Sequence, residues 1–174
     1  MMNASRRPDE REGGEPAILD MLIRAGADVN IADKGGCTAL MRACMTSVDE
    51  YNNERTLGCL IGAGSDTNAR SNDGQTILMR ACWSDWIWRV EALMNSGQNI
   101  DIDAIDNEGN TALMLACRRR SHGIVRHLVQ KGANINVINN DGYTALTIAR
   151  HYELWEVCGV LEQHQNQTQT TSSP

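Results

Sequence analysis

Small and apolar positions return along this chain in two alternating phrases. The first reads Thr38-Ala-Leu-Met-Arg-Ala-Cys44, Thr76-Ile-Leu-Met-Arg-Ala-Cys82, Thr111-Ala-Leu-Met-Leu-Ala-Cys117 and Thr144-Ala-Leu-Thr-Ile-Ala-Arg150. A threonine ahead of a short apolar run fits an N-cap, so each copy predicts a helix with a buried apolar side. The second pattern is clearest at Ile124-Val-Arg-His-Leu-Val129, where apolar residues at i, i+1, i+4 and i+5 form one helical stripe. A matching helix is predicted from Pro16 to Ala25. Gly26, Gly64, Gly97 and Gly132 follow the second helices and suit left-handed C-caps. Asp33, Ser71, Asp106 and Asn139 stand three residues before Gly36, Gly74, Gly109 and Gly142. A short side-chain acceptor followed by glycine predicts a tight turn before each first helix.

The capping threonines stand 38, 35 and 33 residues apart. A helix pair and a turn repeating at about 33 residues, with a T-P-L-H-x-A signature, define the ankyrin unit. Here the signature reads Thr-Ala-Leu-Met, Thr-Ile-Leu-Met, Thr-Ala-Leu-Met and Thr-Ala-Leu-Thr. The chain therefore resembles the ankyrin-repeat family from Gly14 to Leu161. Proline and histidine are missing from every copy. The family's histidine usually joins a hydrogen-bond network with the threonine, and at Met41, Met79 and Met114 packing is expected to replace it.

The resemblance implies an all-α solenoid of helix-turn-helix units joined by hairpin-like turns. Residues 1–13 are expected to be disordered and 14–162 to form the repeat domain. That domain divides into a partial unit 14–31 and units 32–69, 70–104, 105–137 and 138–162. The partial unit has only a second helix, so the chain either has an unusual cap or begins inside a longer array. Residues 163–174, rich in Gln, Thr and Ser, are expected to be a disordered tail. Five extra residues between Met45 and Glu54 and two between Gln98 and Asp101 read as loop insertions.

Charge narrows the function classes. The chain has 174 residues and a net charge of −6, which argues against a general binder of nucleic acid or anionic membrane. No apolar run approaches the roughly 20 residues of a membrane span, and no secretory signal is evident. The sequons at Asn3 and Asn166 then read as accidental. Six cysteines invite a metal or disulfide reading. Cys44, Cys82 and Cys117 share one aligned position, however. Packed helices lie about 8–10 Å apart, whereas a disulfide needs Cα atoms within about 7 Å. They read as core residues, as do Cys59 and Cys158. Cys37 aligns with the turn residues Gln75, Asn110 and Tyr143 and is expected to be an accessible thiol. No cofactor or metal is expected, and His122 and His127 are wrongly spaced for one helix face. No nucleophile elbow or phosphate loop appears, so the chain is not expected to be an enzyme.

What remains is binding. In ankyrin repeats the two positions after the first helix's terminal Ala-Ala pair belong to the concave face. By resemblance these are Met45-Thr46, Trp83-Ser84, Arg118-Arg119 and His151-Tyr152. The turn tips add Lys34, Cys37, Arg70, Asn72, Asp73, Gln75, Asn107, Glu108, Asn110, Asn140, Asp141 and Tyr143. Trp, Tyr and Arg are enriched at interface hot spots, which singles out Trp83, Arg118, Arg119 and Tyr143. The expected activity is binding of another protein, one with an acidic patch, by a monomeric chain in the cytoplasm or nucleus. Two alternatives stay open: a spacer or fragment of a larger ankyrin protein, and a thiol-based role around Cys37. Trp86 and Trp88 fit either loop packing or the same site. The resemblance also implies that Asn68 and Asn136 are candidate substrates of an asparagine hydroxylase.

Overall fold

The computed structural model describes residues 15–45 and 50–170, with side chains described for 18–45, 54–166. Nine helices occur among them: α1 (Glu15–Arg24), α2 (Ala39–Met45), α3 (Glu50–Gly62), α4 (Ile77–Trp83), α5 (Ile87–Met94), α6 (Ala112–Arg118), α7 (His122–Gln130), α8 (Ala145–His151) and α9 (Trp155–Thr170). The short helices α2, α4, α6 and α8 pack on one another as an inner row, and each also packs on the longer helix that follows it. That gives one partial unit, α1, and four full units. The core runs along the seam between the rows. Leu40, Leu78, Leu113, Cys44, Cys82 and Cys117 are all buried there.

Local chemistry sets the ends of the helices. Each inner helix starts at its threonine. The hydroxyls of Thr38, Thr76, Thr111 and Thr144 accept from the backbone N–H of Met41, Met79, Met114 and Thr147 at 3.2–3.4 Å, satisfying an otherwise orphaned donor. The methionines in the histidine position are buried. At Thr76 packing is not the whole replacement, because the Met79 sulfur also accepts from the Thr76 N–H at 3.5 Å. The outer helices close as the sequence predicts. Ser65 N–H reaches Leu60 O and Ala133 N–H reaches Leu128 O at 3.0–3.1 Å, wrapping around Gly64 and Gly132, both at positive φ.

The turns form a second ladder. In the third unit Asp106 Oδ1 accepts from the N–H groups of Glu108 and Asn110 at 3.0 and 2.8 Å. Asp33 and Asn139 do the same in the first and fourth units. Neighbouring turns are then joined through asparagine. Asn107 N–H donates to Asp73 O at 3.1 Å and its carboxamide to Asn72 O at 2.9 Å. Asn72 and Asn140 repeat this contact toward their own preceding turns. Gly74 must be glycine twice over: its φ is +77°, and an added Cβ would lie 2.8 Å from the Asn107 nitrogen.

Two boundaries differ from the sequence reading. Helix α9 continues through Thr170, over residues assigned to a disordered tail from 163. Gln is a good helix former, and the helix extends where packing has already nucleated it. The insertion between Met45 and Glu54 is not all loop, since α3 starts at Glu50. Residues 1–14, 46–49 and 171–174 lie outside the described residues, and with them the expectations for the N-terminal segment and for Thr46.

Candidate functional site

The inner helices and the turns face each other across a groove, and the candidate residues separate on it. Asp73, Gln75, Asn107 and Glu108 of two adjacent turns line one pocket with Trp83 from α4 and Arg118 from α6. A second pocket of about 220 Å³ is lined by Arg118, Tyr143, Ile148, His151 and Tyr152. Arg118 is the shared wall. Trp83 and Tyr143 are about half exposed, at 50% and 49%, which leaves ring surface for contact.

Ring stacking organises the basic cluster that follows α6. The Arg119 guanidinium lies 5.1 Å from the Trp83 ring and that of Arg120 lies 5.5 Å from the Tyr152 ring. His151 packs edge-on against Tyr152 at 5.1 Å. Stacking occupies the face of a guanidinium and leaves its in-plane N–H donors open. Arg120 holds this place in the left-handed region, at φ 59°, where a side chain costs about 1–2 kcal/mol.

The other arginines of the inner helices behave differently. Arg42 is bonded to Asp33, Arg80 to Asp73 at 3.1 Å and Arg150 to Glu162 at 2.8 Å. The Arg42 side chain, with the Cys37 N–H, lowers the Asp33 pKa below its ordinary value. Burial pushes Asp73 upward, but the Ser71 hydroxyl and Arg80 outweigh it, so its pKa is lowered too. No ion pair within 4 Å involves Arg118, Arg119 or Arg120 among the described residues.

Several expectations change. Cys37 is buried, 6% exposed, so it is not the accessible thiol that its alignment suggested. Its N–H donates to Asp33 Oδ1 at 3.0 Å. Asn110 is 1% exposed rather than a turn tip. Its carboxamide donates to Asp106 and Glu108 and accepts from Asn139 Nδ2 at 2.8 Å. Asn72 and Asn140 are exposed, yet their carboxamides bridge turns. Arg70 reaches across to Ile105 O. Lys34 and Asp141 are exposed and line neither pocket. Asn68 is bonded at both ends, to Asn99 O and Asp101 N–H, while Asn136 is exposed.

Trp86 and Trp88 meet at 6.1 Å, edge to face, and hold the guanidinium of buried Arg89 at 4.9 and 5.2 Å. Arg89 in turn donates to Cys44 O. The pair therefore clasps the junction of the first two units and lines neither pocket. Sequence reasoning missed Leu115 and Ile148, both buried on the pocket walls. The signal was present: Arg42, Arg80, Leu115 and Ile148 occupy one aligned position that turns from charged to apolar down the stack.

All six cysteines are free. Burial raises the thiol pKa values of Cys44 and Cys117 to about 12. Among the described residues no group of three or more His, Cys, Asp and Glu is placed to hold a metal ion. No described helix is long and apolar enough to cross a membrane.

The family model for ankyrin repeats matches three times, over residues 2–106, 47–139 and 90–171. This chain belongs to the ankyrin-repeat family. Ankyrin repeats are generally protein–protein interaction modules and typically non-catalytic. No curated relative matches the chain.

Proposed function

We propose that this ankyrin protein binds a partner protein in the groove between its turns and inner helices, across the second to fourth full units. Trp83, Arg118, Arg119 and Tyr143 act as anchors, and the matching patch on the partner is acidic. One observation carries this reading. In a chain with more acidic than basic residues, the arginines of α2, α4 and α8 have carboxylate partners, whereas Arg118, Arg119 and Arg120 stand beside exposed rings without one. One chain supplies the whole groove, so it works as a monomer. Six free thiols fit a reducing compartment, the cytoplasm or nucleus.

Affinity capture followed by binding kinetics tests the proposal. Trp83→Ala weakens binding of the captured partner by about 2 kcal/mol or more, as hot-spot truncations do. Arg119→Glu slows association and reduces its salt dependence. Both positions are exposed, so circular dichroism should show unchanged folding. Equal partners and equal affinities in both variants would remove the groove from consideration.

A second reading, a segment of a longer ankyrin array, is favoured by one feature. Ile18, Met21 and Leu22 on α1 are 62%, 71% and 53% exposed, and a preceding unit would cover such a face. A longer transcript containing further repeats would support it.

A further inference from the structure

The two pockets that share Arg118 differ in their acidic lining: Asp73, Asp106 and Glu108 line the first, and no carboxylate lines the second. Glu108 lies on the rim of the first, beside Asp73, and accepts only an amide hydrogen bond, from Asn110 at 3.1 Å. Asp73 is partly neutralised by Arg80 at 3.1 Å. Arg118 has no ion pair, although it lines the same pocket as three acids, Asp73, Glu108 and the buried Asp106. Beyond it the second pocket has no acidic lining residue and brings Tyr143, His151 and Tyr152 to the guanidinium. Tyrosine hydroxyls add single hydrogen-bond donors to the bidentate fork that guanidinium offers a carboxylate. A surface that satisfied itself would close the Glu108–Arg118 pair; here both line one pocket without an ion pair between them.

We infer that the groove recognises an extended segment of the partner that carries both signs of charge. Its acidic side chain enters the pocket of Arg118, Tyr143, His151 and Tyr152. Its basic side chain lies against Glu108 and Asp73. Neighbouring inner helices are about 8–10 Å apart and an extended chain advances about 3.3 Å per residue, so the two side chains are separated by about two or three positions. The inference rests on the groove reading above and specifies the chemistry of its occupant. It also explains how an acidic protein avoids merely collecting acidic chains. A second carboxylate at the Glu108 position would meet like charge, which costs binding rather than adding to it.

The test is selection of displayed twelve-residue random segments on the full-length chain. The recovered segments should be enriched in a Lys or Arg and an Asp or Glu two or three positions apart, in either order. On Glu108→Lys the basic position should be replaced by a second acid. A synthetic segment chosen on the wild type should bind that variant about tenfold or more weakly, as like-charge juxtaposition implies. Glu108→Gln keeps the acceptor for Asn110 and removes the charge, so it should lose the preference for the basic residue while melting like wild type. Arg118→Gln should lose the preference for the acid. Segments with two acids, with no charge preference, or with the same preference on all four chains would overturn the inference, as would no enrichment at all. Trp83→Ala separates the two readings. If it recovers the wild-type segments, the groove itself is wrong; if it loses them while charge pairing is absent, only the charge pairing is wrong.

Discussion

The turns and the ends of the inner helices come from the same repeated phrase, and they put their polar side chains to opposite uses. In the turns the asparagines and several acids are tied into the ladder, while Lys34, Glu108 and Asp141 stay exposed. Asn72, Asn107 and Asn140 bridge successive turns, Asn110 and Asn139 bond beneath them, and Asp33 and Asp106 each hold two backbone N–H groups. At the helix ends Trp83, Arg119 and His151 stay exposed, with Arg119 over the Trp83 ring and His151 edge-on to Tyr152. The difference teaches that a residue's place on the surface does not make it available. Binding capacity belongs to side chains whose donors and faces the fold has left open.

The largest expected effect sharpens this contrast. Leu113, 1% exposed in α6, is packed from both neighbouring units. Leu113→Ala should cost about 2–5 kcal/mol in urea unfolding, while Arg119→Ala at the helix end should stay within about 0.5 kcal/mol. Equal losses would mean that the helix ends are structural too.

Glycine tests the bridging between turns directly. Gly74→Ala and Gly142→Ala both place a side chain at positive φ, costing about 1–2 kcal/mol. An added Cβ at Gly142 meets nothing within 4 Å, whereas at Gly74 it meets Asn107. Gly74→Ala should therefore cost about 1–3 kcal/mol more, as overpacking does. Similar melting shifts for the two would show that the turn ladder does not constrain the stack.

Asn110→Ala should cost about 1–3 kcal/mol, because it strands the Asn139 donor in a buried site. A neutral result in chemical denaturation would return Asn110 to the exposed surface where its alignment had placed it. Arg120→Gly runs the other way. It relieves about 1–2 kcal/mol of backbone strain and gives up a cation–π contact of about 0.5–1 kcal/mol, for a small net gain in thermal stability. A destabilised variant would mean that the contact with Tyr152 outweighs the strain.

The smallest effect concerns acid. The Asp33 carboxyl has a lowered pKa in the folded chain because of Arg42 and the Cys37 N–H. A lowered folded pKa contributes stability above the unfolded value, and that contribution disappears as pH falls through the folded one. Melting curves from about pH 5 down to about pH 2 should fall less steeply for Asp33→Asn than for wild type. An unchanged slope would leave the Arg42 pair without a role in acid stability.

Periodicity alone determined the number of full units, the threonine caps, the positive-φ glycines and the buried cysteine row, because each follows from contacts within one repeat or from one residue's own backbone. A capping hydroxyl needs only the N–H three residues on. A left-handed turn needs only a glycine at the right place. Tertiary structure decided the rest. Cys37 and Asn110 are buried where Tyr143, at the same aligned position and with the same N–H bond to its turn residue, is half exposed. Arg80 and Arg118 both lie in the last turn of an inner helix, yet Arg80 pairs with Asp73 at 3.1 Å while Arg118 forms no ion pair, although Asp73, Asp106 and Glu108 line its pocket. What crosses between units is the turn ladder, in which the Asn107 and Asn140 carboxamides donate to backbone carbonyls 35 and 33 residues away in sequence. Those contacts exist only once the units stack, and no single repeat contains them.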